Sequence, residues 1–388
     1  MKILLVGEYS RLHNSLKEGL EALGHTAVIV SPGDGFKGYA SGLSVSPALF
    51  KNGWLKKFKN GVYKLTGADL ERWEKGIRFY RLLPKLKGYD HVQLINSDAL
   101  ETPPWLAKRL LQKLFAQNAD SMSLLVCGDE TPVIAYNLSG KIKYSVLTPY
   151  FKDKSLKNYY SYSLKYLTKP HRDLFAWIAG RANAIITSDL DYELPMQAMG
   201  YPTHFIPNPI NTEAIAFSPL SVTGKVVIFL GINRLSYTKK GIHYFEQALE
   251  IIRHKYPDKV EIIITENIPY AEYINLYNRA HILLDQVYAY DQGYNALEAM
   301  AKGKVVFTGA ETEFTAHYHL TEPVNINALP NANAIADALS HLIENPDELI
   351  AIGKRASAFI EKEHEYKMIA ARYVEVWGKK KLKHFFPE

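Results

Sequence analysis

The sequence predicts an α/β protein with two doubly wound, Rossmann-like domains that face each other across a cleft. Three observations support this fold class. Short apolar runs typical of buried parallel strands recur along the chain, and a helical pattern follows nearly every run. A change of composition after Ile210 divides these units into two series. A length of 388 residues leaves room for two or three domains, so each series can form its own sheet.

The first series forms the predicted N-terminal domain, residues 1–215. Its strand candidates are KILLV, TAVIV, HVQLIN, SLLVC, NAIITS and THFIP. Between the first two strands, Leu16, Leu20 and Leu23 recur at helical spacing, and Gly24 stands where a helix commonly ends. This segment is therefore expected to be an amphipathic helix that covers one face of the sheet.

The second series forms the predicted C-terminal domain, residues 216–365, after the linker-like segment SPLSVTGK. Its strand candidates are VVIFLG, EIIIT, HILLD, VVFTG and VNI, and its clearest helical patterns are GIHYFEQALEIIRHKY and NANAIADALSHLIEN. One long helical pattern then runs from ELIAIG to the end of the chain. We expect its last part, residues 366–388, to cross back to the N-terminal domain.

Composition excludes several classes of protein. No window approaches the ~18 uninterrupted apolar residues of a membrane span, and the first residues, MKILLVGEYS, predict a strand rather than a signal peptide. Cys127 is the only cysteine, which excludes an internal disulfide framework and a multi-cysteine zinc site. No recognition motif accompanies the net charge of +6, so we expect no nucleic-acid partner. We expect a cytoplasmic protein.

The positive charge is concentrated in a tract that carries no acidic residue between Asp34 and Asp69. Its lysines are Lys37, Lys51, Lys56, Lys57, Lys59 and Lys64, and its apolar residues Trp54, Leu55, Phe58, Val62 and Leu65 share one face at helical spacing. One interpretation is a solvated basic face above ordinary core contacts. The other is a surface that rests on anionic lipid or binds an acidic acceptor. Similar basic-aromatic segments, YFKDKSLKNYYSYSLKYLTKPHR and GKKKLKHFF, favour peripheral attachment to the inner face of a membrane.

The segment 285–304 has the pattern of a ligand-binding strand, loop and helix. The run HILLDQV predicts a buried strand, Gly293 opens the helical pattern NALEAMAK, and VVFTG predicts the next strand. Free amides and the positive end of a helix dipole near Gly293 favour an anion. Glu298, within that helix, is either an ordinary surface residue or an acceptor of two ribose hydroxyl hydrogens. An anion beside a group bearing hydroxyls describes a nucleotide sugar.

A second phosphate element is predicted in GINRLSYTKKG, residues 231–241, which follows a strand and precedes a helix. Arg234 offers a planar fork of donors for phosphate oxygens, and Lys240 offers a compact positive charge. The alternative interpretation is a solvated basic loop.

Together these elements resemble the donor half of the retaining glycosyltransferases of family 4, which have the glycosyltransferase-B fold. In that family an arginine loop closes on Lys-Gly, as Arg234 and Lys240-Gly241 do here, and a Glu, seven residues, Glu motif leads into Ala-Met-Ala-x-Gly, as at Glu298. The segment IPNPINTEAI is similar to the family's hinge. This chain has Tyr290 where the family has its first glutamate.

The resemblance implies roles for particular residues. Arg234 and Lys240 would stabilise the departing diphosphate, and Asp129 would position the acceptor hydroxyl. The implied donor-binding residues are Glu298, Gly293, Tyr294, Asn295, Tyr290, Gln292, Glu266 and Asn208. The positions that match the family's nucleobase loop are Thr265, Glu266, Asn267 and Ile268, and they leave the base open. The implied acceptor-side residues are Gly7, Arg11, His13 and Asp98, for which ordinary surface or loop roles are the alternative.

No cofactor and no metal site are expected. Asp189-Leu190-Asp191 resembles a metal-binding motif of other glycosyltransferases, but we interpret it as helix capping.

The predicted activity is a hexosyl transfer, with retention, from a nucleoside-diphosphate sugar to an acceptor such as a bacterial cell-surface glycan or a lipid-linked precursor. Three alternatives remain open. They are a nucleotide-sugar epimerase of the same fold, a catalytically inactive relative that keeps only the binding function, and a two-lobed binding protein for a soluble ligand.

Overall fold

The computed structural model describes residues 1–33, 42–50, 53–119, 121–266 and 268–379. Lys37, Lys51, Asn267 and most of the basic tail, residues 380–388, lie outside these ranges. Within them the chain forms two parallel sheets, each covered by helices, which confirms the predicted fold class. No helix in the described part of the chain is both long enough and apolar enough to cross a bilayer.

Seven strands of the described chain form the first sheet, in the order β3-β2-β1-β4-β5-β6-β7. They are β1 Lys2–Val6, β2 Thr26–Ser31, β3 Leu43–Ser44, β4 His91–Leu94, β5 Met122–Val126, β6 Ala184–Thr187 and β7 His204–Phe205. The helices of this half are α1 Leu12–Ala22, α2 Gly53–Thr66, α3 Leu70–Leu82, α4 Pro104–Ala116, α5 Thr131–Asn137, α6 Thr148–Lys152, α7 Ser161–Leu164, α8 Lys169–Ala179 and α9 Leu190–Ala198.

Five strands of the described chain form the second sheet, in the order β12-β11-β10-β8-β9. They are β8 Val226–Ile232, β9 Val260–Glu266, β10 Ile282–Leu284, β11 Val305–Thr308 and β12 Ile326–Asn327. The helices that follow β8 are α10 Tyr237–Lys240, α11 Ile242–Lys255, α12 Tyr270–Arg279, α13 Tyr294–Ala301, α14 Thr312–His317, α15 Ala332–Glu344, α16 Pro346–Glu363 and α17 Tyr366–Gly378.

The first helix confirms most of its predicted pattern. Leu16 and Leu20 are completely buried, and Gly24 follows the helix end with a φ of 82°. Leu23 differs from the prediction, because α1 ends at Ala22 and the leucine side chain is 41% exposed. Glycine tolerates the left-handed backbone that turns the chain toward β2 at this point.

The long helical pattern at the end of the chain is two helices rather than one. The helix α16 packs on the second sheet side, where Ser357 Oγ donates to the carbonyl of Ala301 at 3.1 Å. The helix α17 packs against α1 of the first sheet side, where a Cβ on Gly19 would lie 2.4 Å from the carbonyl oxygen of Tyr366. The last turn of α17 brings Trp377 onto His91, with ring centroids 4.5 Å apart.

The break between α16 and α17 lies where the chain crosses between the two halves. Ile210 forms a short parallel bridge with Glu365. The Ile210 amide donates to the His364 carbonyl at 2.8 Å, and the Tyr366 amide donates to the Ile210 carbonyl at 3.1 Å. The two crossings are therefore joined by backbone hydrogen bonds, which form the connection between the domains.

Candidate functional site

Both sheets place their predicted functional loops beside a reversal of strand order. In the second sheet the order reverses between β8 and β10, and the loops that carry Arg234 and Gly293 leave the carboxyl ends of those strands. In the first sheet the reversal lies between β1 and β4, and the loops after them carry Arg11 and Asp98. Ligands of open parallel sheets bind at such positions.

The clearest polar cluster at the carboxyl edge of the second sheet is formed by hydrogen bonds from Lys240 and Asn295 to Asp285. Lys240 Nζ donates to Asp285 Oδ1 at 2.7 Å, and Asn295 Nδ2 donates to the same oxygen at 3.4 Å. The Asp285 side chain is only 2% exposed, whereas the Lys240 side chain is 33% exposed. The buried carboxylate thus orients an ammonium group whose remaining N–H bonds are available to a ligand.

This cluster adjoins the start of α13. Gly293 is the N-cap residue of that helix, and a Cβ at this position would lie 4.0 Å from Asp285 Oδ2. The first amides of a helix lack acceptors within the helix, and the helix dipole is positive at this end. Lys240 and the start of α13 therefore form an anion-binding corner. Sequence reasoning missed Asp285, although its position directly after β10 was the signal that could have identified it.

Arg234 and Glu266 contact each other at the carboxyl ends of β8 and β9. The guanidinium donates to both carboxylate oxygens, at 2.8 Å from Nε and 2.6 Å from Nη2. The Arg234 side chain is 54% exposed, and its hydrogen bonds lower the pKa of the Glu266 carboxyl. Two residues predicted to bind different parts of a donor are thus paired with each other.

Glu298 lies half buried on α13, and its charge adds to that of Glu18 in raising the pKa of Arg11 in the other domain. Arg11 also donates to Glu18 Oε1 at 3.0 Å. The loop that carries Arg11 has three residues with positive φ, namely Gly7, Ser10 and Arg11, at 89°, 52° and 76°. A Cβ on Gly7 would lie 2.3 Å from Ile95 Cγ2, so the close approach of this loop to β4 requires glycine. Strained backbone of this kind is concentrated at functional sites.

Two of the predicted acceptor-side residues lie inside the N-terminal domain. His13 is completely buried, with Nδ1 2.7 Å from the Gly7 carbonyl oxygen, and burial lowers the pKa of its ring to about 4. Asp98 is also completely buried and accepts hydrogen bonds from Lys165 at 2.8 Å and Arg72 at 3.5 Å. Neither side chain is exposed to the cleft, so both support the loops from within.

Asp129 does face the other domain. Its Oδ2 accepts a hydrogen bond from Ser163 at 2.5 Å and lies 3.8 Å from Nζ of Lys239 on α10. The Lys239 ammonium also donates to Ser163 Oγ at 2.9 Å. The structure therefore brings the predicted Asp129 beside the predicted phosphate loop. The Lys-Gly motif singled out Lys240, and nothing in the sequence indicated that Lys239 would lie beside Asp129.

Three side chains predicted to hold the donor are instead buried in contacts within or between the domains. The Tyr290 hydroxyl accepts from the Lys143 amide at 3.2 Å, the Tyr294 hydroxyl donates to the Pro209 carbonyl at 2.5 Å, and Gln292 Nε2 donates to the Gly309 carbonyl at 2.8 Å. Only the backbone of this loop remains for a donor. The carbonyl of Asn208 accepts from His364 at 2.9 Å, which places that residue at the domain crossing.

The acidic triplet at 189–191 belongs to the interface between the domains. Asp189 is the N-cap residue of α9, the position that the capping interpretation gave it, although its side chain makes no well-formed capping hydrogen bond. Asp191 instead accepts from the Tyr290 amide at 3.0 Å, and Asp291 accepts from the Leu190 amide at 3.2 Å. Burial raises the pKa of Asp291 to about 6, and burial with the charges of the two neighbouring aspartates raises the pKa of Asp189.

Comparison with known families gives a match over the second half of the chain. The sequence profile of the glycosyl transferase-like family matches residues 234–375, which include Arg234, Lys240 and Glu298. No curated protein sequence matches the chain at a significant level.

Solved structures resemble the whole chain. Sucrose-phosphate synthase from Thermosynechococcus elongatus has a TM-score of 0.62 at 15% identity, with 97% of this chain and 98% of that chain covered. HepE from Anabaena in complex with UDP-glucose has a TM-score of 0.56 at 12% identity, with the same coverage. UDP-GlcNAc 2-epimerase from Neisseria meningitidis, bound to UDP-GlcNAc, has a TM-score of 0.52 at 14% identity, with 97% and 99% covered. These likenesses establish the glycosyltransferase-B fold.

Proposed function

We propose that this chain transfers a hexose from a nucleoside-diphosphate sugar to a glycan or lipid-linked acceptor, with retention and without a metal ion. The observation that carries the proposal is the anion-binding corner formed by Lys240, Asp285, Asn295 and the start of α13. It lies at the switch point of the second sheet, within the segment that matches the glycosyl transferase-like profile. Proteins of the same fold have been crystallised with UDP-glucose and UDP-GlcNAc.

The chemical task is to stabilise a departing nucleoside diphosphate. Negative charge on the diphosphate grows as the sugar leaves, and prearranged donors that meet this charge lower the barrier. Lys240 supplies an ammonium held by Asp285, and α13 supplies backbone amides and the positive end of its dipole. Arg234 can exchange the Glu266 carboxylate for a phosphate, because both groups accept the same forked pair of hydrogen bonds.

The remaining donor contacts fall to Glu298 and to the backbone. Glu298 would accept hydrogen bonds from the ribose hydroxyls, since its half-buried side chain lies on α13 beyond the anion-binding corner. Tyr290 brings no carboxylate to the position where the family has its first glutamate, and its ring is buried. The transferred sugar would therefore rest on the amides of residues 292–295, and Asp129 would position the acceptor hydroxyl.

Nucleotide binding by this corner can be tested by thermal unfolding with UDP, GDP and ADP. A ligand at about 100 times its Kd stabilises the native state by about 2.7 kcal/mol, which gives a measurable rise in midpoint. We expect one nucleotide to stabilise the wild-type chain and Lys240→Gln to lose that rise. The variant keeps a donor for Asp285 but removes the charge. Lys225→Gln is the control. Lys225 is exposed, and its ammonium donates a hydrogen bond to the Pro257 carbonyl at 3.3 Å.

The proposal is rejected if no nucleotide shifts the wild-type midpoint, or if Lys240→Gln keeps the full shift. Retention is read separately, from the anomeric configuration of the product by NMR. Metal independence is read from turnover after exhaustive treatment with a chelator.

Epimerisation of a nucleotide sugar is the second candidate, favoured by the likeness over 97% of the chain to UDP-GlcNAc 2-epimerase. A single assay that contains the nucleotide sugar and no acceptor distinguishes the two reactions. A transferase leaves the nucleotide sugar unchanged apart from slow hydrolysis, whereas an epimerase converts it into a second nucleotide sugar of the same mass. An inactive binding protein would bind the nucleotide and give neither product.

A further inference from the structure

The helix α2 has one half-buried face, formed by Leu55, Lys59 and Val62, and is otherwise exposed. It is the only helix of eight or more residues in the described ranges with no buried residue. Its apolar side chains include Trp54, Phe58 and Leu65, which are 74%, 54% and 87% exposed. A 14-residue helix with so little burial gains little from the core of its own domain, and within the described residues Trp54, Phe58 and Leu65 remain largely exposed.

The apolar face continues from α2 onto α3 and α4. Trp73 and Trp105, from the first turns of α3 and α4, pack edge to face with centroids 5.3 Å apart and remain 39% and 49% exposed. A surface cavity of about 390 Å³ lies between these helices and is lined by Tyr63, Gly67, Ala68, Asp69, Arg72, Trp73, Pro103 and Pro104. The α2 surface, as we define it, comprises Trp54, Phe58, Tyr63, Leu65, Trp73 and Trp105 with Lys56, Lys57 and Lys64.

The α2 surface is positively charged. Lys56, Lys57 and Lys64 are exposed, and α2 itself contains no acidic residue. Lys59 is the exception among its lysines, because it pairs with Glu71 of α3 at 2.7 Å. On the α4 side, Arg109 lies 5.4 Å from the Trp105 ring and Lys113 lies 4.8 Å from the Tyr80 ring. Aromatic rings flanked by cations are typical of helices that lie in the headgroup layer of a membrane.

The position of the α2 surface relates it to the cleft. The helices α3 and α4 begin at the edge of the first sheet where its strands end, which is the edge that carries the cleft loops. Arg72, which lines the cavity, also pairs with Asp98 in the loop after β4. A planar partner on the α2 surface would therefore lie beside the acceptor side of the cleft.

We infer that the α2 surface docks on an anionic lipid bilayer, with the apolar side chains in the headgroup layer and the lysines on the lipid phosphates. Charge complementarity and the exposed tryptophans favour a bilayer over a second copy of this chain, which would bring like charges together. If the proposed transferase function also holds, docking places a lipid-linked acceptor next to the cleft. The docking itself does not depend on that function.

Vesicle binding by the full chain tests the inference without any substrate. We expect co-sedimentation with vesicles containing 30% phosphatidylglycerol and little with pure phosphatidylcholine, because each lysine near such a surface contributes about 1 kcal/mol. Lys56→Gln/Lys57→Gln/Lys64→Gln should weaken binding at least about tenfold. The matched control, Lys225→Gln/Lys259→Gln/Lys354→Gln, removes the same charge from exposed positions of the other domain and should bind as wild type.

The apolar part of the surface has its own variant, Trp54→Ser/Phe58→Ser/Leu65→Ser, which replaces only exposed side chains. We expect the wild type to show a blue shift of tryptophan emission with anionic vesicles. We expect the apolar variant to lose this shift and to lose co-sedimentation. Failure of the wild type to bind anionic vesicles, or equal binding by the lysine variant and its control, overturns the inference. Two other results would also overturn it. One is a wild-type dimer, seen by light scattering, that dissociates in the apolar variant. The other is a soluble glycan that binds the α2 surface and prevents vesicle binding.

Discussion

The two sides of the cleft use their predicted charged residues differently. On the C-terminal side, Lys240 and Arg234 are paired with carboxylates but keep 33% and 54% of their side chains exposed. On the N-terminal side, His13 and Asp98 are completely buried and bond to groups of their own domain. A polar residue predicted near a strand end can therefore face a ligand or be buried against its own domain, and only its exposure distinguishes the two.

The largest effect expected from this comparison concerns stability. Asp98→Ala should lower the free energy of unfolding by about 3 kcal/mol, because it leaves Lys165 and Arg72 without their shared, completely buried partner. Urea unfolding followed by tryptophan fluorescence measures this well, since Trp54, Trp73, Trp105 and Trp177 all lie among the elements of the first sheet. The exposed Asp173→Ala is the control. A loss below about 1 kcal/mol would mean that Asp98 is not part of the core.

The matching experiment on the other side concerns turnover. Arg234→Ala should lower kcat/KM by about two orders of magnitude, because it removes a donor to the departing diphosphate. Stability should change little, since the pair with Glu266 is exposed. Arg279→Ala is a close control, because Arg279 pairs with Glu261 at 2.6 Å and with similar exposure. Equal kinetics for the two variants would remove Arg234 from the site.

A smaller effect is expected from Glu298→Gln. A hydrogen bond to a charged acceptor contributes about 1.5–3 kcal/mol, so the affinity for a nucleotide sugar should fall roughly tenfold or more. The change should not affect a nucleotide that lacks the ribose hydroxyls, which isothermal titration can compare directly. Glu272→Gln on the exposed face of α12 should bind like wild type. A variant that weakens both nucleotides equally would point to a general loss of the site rather than of ribose contacts.

The smallest effect is a pH dependence at the domain interface. The pKa of Asp189 is raised by burial and by Asp191 and Asp291, so the folded protein keeps a proton that the unfolded chain releases. This stabilisation is complete below about pH 4 and is lost as the pH rises through the raised value. Asp189→Asn should therefore flatten the fall in thermal midpoint as the pH rises above about 4. Parallel curves for the wild type, Asp189→Asn and the exposed control Asp173→Asn would contradict this account.

Most strands could be predicted because they are compact apolar runs, whereas the two-residue β3, Leu43–Ser44, has no such run and was missed. Several boundaries could not be predicted. The helical pattern continues through His364 with no glycine or proline between residues 354 and 377, yet the helix breaks there because Ile210 pairs with Glu365 and its neighbours. The backbone groups of His364 and Tyr366 thus bond to Ile210, a distant residue, which a continuous helix would prevent because it would use those groups internally.

The candidate site divides in a similar manner. Arg234, Lys240 and Glu298 were predicted from their positions near strand ends and helix starts and from the family resemblance, and the position of Asp285 after β10 offered the same kind of signal. Lys239 and Ser163 could not be assigned to the same cleft from spacing alone. Tyr290 and Tyr294 lie in the predicted loop, yet their hydroxyls bond to Lys143 and Pro209. These two N-terminal partners are 147 and 85 residues away in sequence, the Lys143 amide as a donor and the Pro209 carbonyl as an acceptor.

The sequence by itself determined two parallel α/β units, the succession of most of their strands along the chain, and the loops that carry the phosphate-binding candidates. These features depend on the periodicity of apolar residues and on local turn and helix signals. Only the tertiary structure decided which charges remain open to a ligand, which are neutralised inside, and where α2 lies. Those outcomes depend on burial and on partners brought together from distant parts of the chain, and no local pattern contains that information.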